Sequence, residues 1–454
     1  MNDCIAGGGP ERQADLIAAI STATGPGAVC VVRLSGQGVR EALGCVFEAA
    51  RGPVGRPREM VYGKLVHPKT GEMIDRAMAV FFPAPRSFTG EDTAEIFGHG
   101  GSTIPRLILE AVMAAGARLA NPGEFTQRAF LNDRLSLDQA EAVADLVAAQ
   151  GEAEAALAAR HLEGALSAKI KPLVDRAVAL QAELVAILDF EEEWDEGARA
   201  KTMGALEGLH SEIQTLVGIG KNLRVFRDGL RLVLTGLPNA GKSSLFNALL
   251  GRDRALVSPR PGTTRDYLEA TVSWDGLRVE LVDTAGLGAR SGDELEGLGQ
   301  EMALRELGEA DVIVRLRSVT DPGPEGTGAF PGADKILTVW SKADLRAGPL
   351  PDGSIAVSAL TGEGLGELKL AALEKVGVAP GLAPEIVPNL RQRMALEEAG
   401  DSIGQALRAL TDLMPPDIAA LEVAAALGSL NRITGRAYTD DVLAQVFANF
   451  CVGK

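Results

Sequence analysis

The stretch Gly236-Leu237-Pro238-Asn239-Ala240-Gly241-Lys242-Ser243-Ser244 carries the most specific chemistry in the chain. It fits G-x-x-x-x-G-K-[ST], a loop that cradles phosphates. Glycines let backbone N–H groups turn inward around phosphate oxygens, and the positive end of a following helix faces the same anion. In this reading Lys242 sits on the β- and γ-phosphates and Ser243 ligates Mg²⁺. The loop needs a strand before it and a helix after it. Arg231 to Thr235 reads as a buried strand, and Leu245 to Leu250 as a helix start. The rival reading, a chance glycine-rich turn, does not explain that context.

Four further clusters suit the same ligand. Ser258-Pro259-Arg260-Pro261-Gly262-Thr263-Thr264 is a polar, Pro/Gly-broken loop whose hydroxyls can complete a Mg²⁺ shell and sense the γ-phosphate. Asp283-Thr284-Ala285-Gly286 ends an apolar run; Asp283 would hold Mg²⁺ through water and the Gly286 N–H would meet the γ-phosphate. Ser341-Lys342-Ala343-Asp344 follows the strand Lys335 to Trp340, and a carboxylate there can accept two N–H bonds from guanine. Ser358-Ala359-Leu360 would offer its backbone to the guanine carbonyl. The GTPase pattern has Asn where this chain has Ser341, and Ser replaces only part of that bracing. The expectation is weaker nucleotide affinity with guanine preference kept; equal affinity for GTP and ATP would refute it. Leu287 stands where many GTPases orient water with Gln. Asp293, Glu294 and Glu296 are the candidates to do so instead, and spacing does not choose among them or exclude solvated acids at a helix start.

The elements that must position these groups follow from the chain as a whole. Its 454 residues are 46% hydrophobic, enough for two to four domains with real cores. No apolar run spans a membrane, no secretory signal opens the chain, and four scattered cysteines (Cys4, Cys30, Cys45, Cys451) suggest a reducing cytoplasm. A net charge of −16 argues against a broad nucleic-acid surface, so RNA work would need a local patch or a partner.

Residues 1–122 alternate strand runs, such as 28–34 and 77–82, with turns and one helical stretch, 104–115: an α+β domain. His99, in Gly98-His99-Gly100-Gly101, reads as a turn residue satisfying local backbone groups rather than as a base. Residues 123–228 are Ala/Leu-rich with helical spacing; one helix is expected over 146–162, an acidic break at 190–196, and a further helix over 206–223. Residues 229–379 alternate strands and helices around the hairpin signal Asp275-Gly276, as in a mostly parallel sheet. Residues 380–454 return to amphipathic helices, including 391–413. The simplest architecture is a discontinuous all-α domain with a Ras-like P-loop GTPase domain inserted in it.

The whole chain resembles the MnmE (TrmE) family of tRNA-modification GTPases. The resemblance rests on Ala18 to Thr22 with Arg33-Leu34-Ser35-Gly36, the 87–101 stretch, Pro122 to Arg134, Gln139-Ala140-Glu141-Ala142, and the terminal Phe450-Cys451-Val452-Gly453-Lys454. It implies a tetrahydrofolate-binding-like N-terminal domain through which a homodimer forms. It also implies a flavoprotein partner, MnmG, using FAD and NADH. Together they would place an aminomethyl or carboxymethylaminomethyl group on the wobble uridine of certain tRNAs. The carbon would come from formyl- or methylene-tetrahydrofolate. The family's folate contacts fall on Arg33, Glu95 and Lys454, and on Arg134 where Lys is usual. A site cysteine falls on Cys451, for which a free buried thiol is the alternative. K⁺ replaces an arginine finger, with ligands on Asn239, Ser258, Arg260 and Thr263; Mg²⁺ ligands fall on Ser243 and Thr264. The water-positioning Glu falls on Glu296, or on Glu294 if the register shifts. A GTP-switched module for ribosome assembly or stress response is the competing function, and the N-terminal domain and the Cys-Val-Gly-Lys end favour the modification enzyme.

Overall fold

In the computed structural model, short β-branched runs near the N-terminus pair into a seven-stranded sheet. The structure describes residues 15–23, 25–149, 151–189, 195–220, 225, 229–252, 268–274, 276–283, 305–322, 333–346, 348–351, 353–378, 385–448 and 450–453. They fall into two units, Met1–Ala144 with Asn431–Lys454, and Asp145–Leu430. Among the described residues, no helix is long and apolar enough to cross a membrane.

The first unit holds β1 (Ile17–Ile20), β2 (Val29–Ser35), α1 (Val39–Val46), β3 (Phe47–Glu48), β4 (Val61–Val66), β5 (Met73–Phe82), β6 (Thr93–His99), α2 (Ile104–Ala114), β7 (Arg118–Leu119) and α3 (Glu124–Leu131). The spatial order is β3-β4-β5-β6-β2-β1-β7, with only β1 and β7 parallel. Period-two alternation sends Cys30, Val32 and Leu34 inward with Ala94, Ile96, Ala77, Ala79 and Phe81. The apolar stripes of α1 and α2 cover that face through Val39, Leu43, Val46, Ile108 and Val112. The opposite face leaves Val29, Tyr62 and Met78 exposed.

Helix α4 (Leu137–Ala148) begins at the edge of this unit. The single helix expected over 146–162 is corrected: the chain breaks after Ala148, and α5 (Glu152–Leu162) starts afresh. Gly151 is its N-cap, with extended backbone (φ −128°, ψ 155°), which no helix interior accepts. His99 is corrected as well. It closes β6 opposite Val29 instead of lying in a turn, and its ring Nδ1 sits 2.7 Å from Asp75 Oδ1.

In the second unit α6 (Ala165–Asp189) and α7 (Glu196–Gly220) run antiparallel and pack together. The acidic break expected over 190–196 therefore ends earlier, because Glu196 already opens α7, where a carboxylate suits a helix N-terminus. Helix α7 also packs along a long helix given below. The six-stranded sheet contains β8 (Leu230–Gly236), β9 (Leu268–Trp274), β10 (Leu277–Asp283), β11 (Val312–Ser318), β12 (Ile336–Ser341) and β13 (Ile355–Val357), with α8 (Lys242–Arg252) after β8 and α9 (Leu365–Lys375) after β13. The order is β13-β12-β11-β8-β10-β9, parallel except for the β9–β10 hairpin. The central strands β8 and β11 carry continuous buried apolar runs, 232–234 and 312–314, as strands covered on both faces require, whereas β9 and β10 at the hairpin edge alternate apolar and polar residues. Helix α10 (Leu390–Thr411) opens with a capping box between Asn389 and Gln392 and lies against α7. Helix α11 (Pro416–Thr434) leads back to the first unit, where α12 (Asp440–Ala448) contacts α3.

Candidate functional site

Parallel pairing brings the C-terminal ends of β8, β10, β11, β12 and β13 to one edge of the second sheet. In register, Leu316 faces Gly236, Ser318 faces Ser341, and Ser341 faces Val357. Strand order reverses at β8, with β10 on one side and β11 on the other, and such a reversal opens a crevice at the strand ends. The phosphate loop fills that position. Asn239 there takes a left-handed backbone (φ 61°), and Gly241 another (φ 88°). Lys242 starts α8, so the helix's free N–H groups face the loop.

The side chains converge. Lys242 Nζ donates to the carbonyls of Gly236 at 2.9 Å and Leu237 at 3.0 Å. Burial pulls its pKa below the ordinary value, with the Asp283 carboxylate acting weakly the other way. Ser243 Oγ donates to Asp283 Oδ2 at 2.7 Å. A hydroxyl and a carboxylate on adjoining elements form a hard-oxygen pair of the kind Mg²⁺ takes. Behind them Arg231, on β8, pairs with Glu280 at 2.9 Å and with Glu306 at 2.6 Å, tying the chain at 305–310 to the sheet.

The base loops meet beside them. Lys342 has a left-handed backbone (φ 59°) and caps the short turn Ala343–Leu345. Ser358 Oγ donates to Asp344 Oδ1 at 2.5 Å, which orients the carboxylate. Ser358 N donates to Glu363 O at 3.0 Å, shaping the loop that carries Ala359 and Leu360. Ser341 Oγ donates to Ala240 O at 2.6 Å, joining the base loop to the phosphate loop. Thus Asn239, Ala240, Gly241, Lys242, Ser243, Ser244, Asp283, Ser341, Lys342, Asp344 and the 358–360 loop share one edge. Residues 258–264, 284–287, Asp293, Glu294, Glu296 and Lys454 lie outside the described residues.

The first unit carries a second constellation. Arg33, Glu95 and Arg134 line an open cavity of about 570 Å³ with Phe88, Arg58 and Arg86. Arg33 Nε donates to Glu95 Oε1 at 2.9 Å, and its guanidinium lies 5.6 Å from the Phe88 ring and 5.7 Å from that of Phe125. Arg58 and Arg86 were not expected here. The signal was present, since Arg56-Pro57-Arg58 and Arg86-Ser87-Phe88 both set cations in turns, but nothing local joins the two. Cys451 is exposed, which removes the buried-thiol alternative.

Two family models match the chain: "GTP-binding protein TrmE N-terminus" over residues 16–134 and "MnmE helical domain" over residues 137–451. A tRNA modification GTPase MnmE from Syntrophus aciditrophicus is 38% identical, covering 97% of this chain and 99% of its own. One from Thermus thermophilus is 42% identical over 97% and 99%.

The chain belongs to the MnmE family.

Among solved structures, the G domain of the T. maritima FeoB iron transporter is 28% identical over 32% of this chain and 98% of its own, at a TM-score of 0.26. That score is too low to bear on the fold, which rests on the strand order above.

Proposed function

We propose that the chain binds Mg²⁺·GTP at the crevice of the six-stranded sheet and hydrolyses it to GDP and phosphate in the service of tRNA modification. The observation that carries this reading is the meeting of Lys242, Ser243 and Asp283 with the Asp344 loop at one sheet edge, in a chain of the MnmE family. Lys242 and the α8 N-terminus would bind the phosphates, Ser243 and Thr264 the Mg²⁺, and Asp344 the guanine. With K⁺ held by Asn239, Ser258, Arg260 and Thr263, charge developing between the phosphates would be neutralised. Glu296, or Glu294, would position the attacking water.

The further reading is that a homodimer works with an MnmG-like FAD protein to install a (carboxymethyl)aminomethyl group at C5 of the wobble uridine. The apolar residues on the uncovered face of the first sheet support a second copy as neighbour. The cavity with Arg33, Glu95 and Arg134 supports a reduced folate: cations suit its glutamate tail, and a carboxylate suits pterin N–H groups. Lys454 and Cys451 would act at the same centre. A chain of net charge −16 would reach tRNA mainly through the complex, in the cytoplasm.

Mass analysis of wobble uridines in cells lacking the chain tests this. The modification should vanish, return with the intact gene, and stay absent with Lys242→Ala. Unaltered wobble uridines would overturn the proposal.

A further inference from the structure

We infer that guanine is read in this chain with no side-chain donor to its N7, so that selection falls on Asp344 and the 358–360 backbone. The inference rests on the guanine-nucleotide reading above. Guanine offers two acceptors, N7 and O6, on one edge, and its 2-amino donor elsewhere. Asn, the residue of the GTPase pattern at position 341, has two N–H donors. It can brace a loop with one and serve a ligand with the other. Ser has a single O–H.

In this structure that proton is committed. Ser341 Oγ donates to Ala240 O at 2.6 Å, with Arg317 O a further acceptor at 3.3 Å, and Ser341 is only 4% exposed. Turning the hydroxyl toward a ligand would strand the Ala240 carbonyl inside the joint between the two loops, a loss that one new hydrogen bond would not recover. The other half of the site remains complete. Ser358 Oγ engages one oxygen of Asp344 and leaves the second for the N–H groups of guanine. Ser358 N is taken by Glu363 O, so the donors left for O6 in that loop are the N–H groups of Ala359 and Leu360.

The test is calorimetric titration of the full-length chain with GTP, 7-deaza-GTP and ITP in Mg²⁺. 7-Deaza-GTP carries C–H in place of N7, and ITP lacks the 2-amino group. In the intact protein 7-deaza-GTP should bind within about twofold of GTP, and ITP at least about tenfold more weakly, since one unmet hydrogen bond beside a charge costs about that factor or more. In Ser341→Asn, GTP should tighten and 7-deaza-GTP should fall behind it by about tenfold. A tenfold or greater deficit for 7-deaza-GTP in the intact protein would overturn the inference while leaving the guanine site standing. ITP binding as tightly as GTP would overturn the role given to Asp344. No uptake of GTP would overturn the inference together with the reading beneath it. The titrations of the intact protein decide the matter even if the variant does not fold.

Discussion

The Ser243 hydroxyl donates to the Asp283 carboxylate across 2.7 Å, joining the first turn of α8 to the last residue of β10. Asp283 is 1% exposed, so this bond aims a buried charge at the mouth of the phosphate loop. Ser243→Ala should keep the fold, with a stability loss of about 1–3 kcal/mol from the removed donor. It should also abolish the tightening of GDP binding by Mg²⁺. Titration with Mg²⁺ and with EDTA checks this; Mg²⁺ dependence retained in the variant would count against Ser243 as a ligand.

Lys242 gives a pH signature. Burial holds its pKa below the ordinary 10.5 in the free protein, and bound phosphates would favour the cation and push it back up. Binding then takes up a proton between the two values, so GDP affinity should fall as pH rises through the free-state pKa. Lys242→Arg keeps its charge at all accessible pH. Its affinity should change less with pH, and equal slopes in both proteins would assign the dependence to another group.

In the first unit, Glu124 is 2% exposed and accepts from Arg118 at 2.6 Å, Arg128 at 3.0 Å and Asn121 N at 2.7 Å. Burial pushes its pKa up, but these donors outweigh burial and hold it below the ordinary 4.5. Its stabilisation is therefore complete above that value and is lost as pH falls through the lowered one. Thermal melts should show falling stability on acidification. Glu124→Gln should cost about 1–3 kcal/mol at neutral pH by removing one of the carboxylates that face the buried Arg128, which keeps Asp15 and Glu91, and should flatten the acid limb.

Gly364 caps α9 with φ +73°, and an added Cβ would lie 1.8 Å from the Ala356 carbonyl oxygen. Gly364→Ala must shift the 358–364 loop. A loss of more than about 1 kcal/mol of stability is expected from the backbone conformation alone. Guanine affinity should weaken with it, because the same loop holds Asp344 through Ser358. Unaltered GDP titration would show that the loop is not part of the base site.

The phosphate loop was legible because its strand, turn and helix are contiguous between Arg231 and Leu250, so local pattern and local structure coincide. The β9–β10 hairpin and the Asp344 and Ser358 loops were legible for the same reason, each being read from a short contiguous run. What escaped depends on pairing between distant strands. Asp75 reaches His99 only because β5 lies beside β6. The Ser341–Ala240 bond spans 101 positions, and the sequence showed only that Asn was missing, not where the Ser proton would go. The break after Ala148 hid in a run of good helix formers, which Gly151 interrupts without any proline. Arg58 and Arg86 reach their cavity through turns whose course no periodicity reports.

Residues 451–453 are stitched into the first unit beside β1 and α3. Ser21 Oγ donates to Gly453 O at 3.1 Å, Pro122 bridges to Val452, and Gly123 N reaches Cys451 O at 3.4 Å. The first of these contacts joins positions 432 apart, which a ribosome separates by about 20–90 s of elongation. The seam beside β1 is thus the last part of the first unit to close. Cutting the chain after Phe450 would leave the backbone of Ile20, Ser21 and Pro122 facing water, so amide exchange should quicken along β1 while the six-stranded sheet keeps its protection.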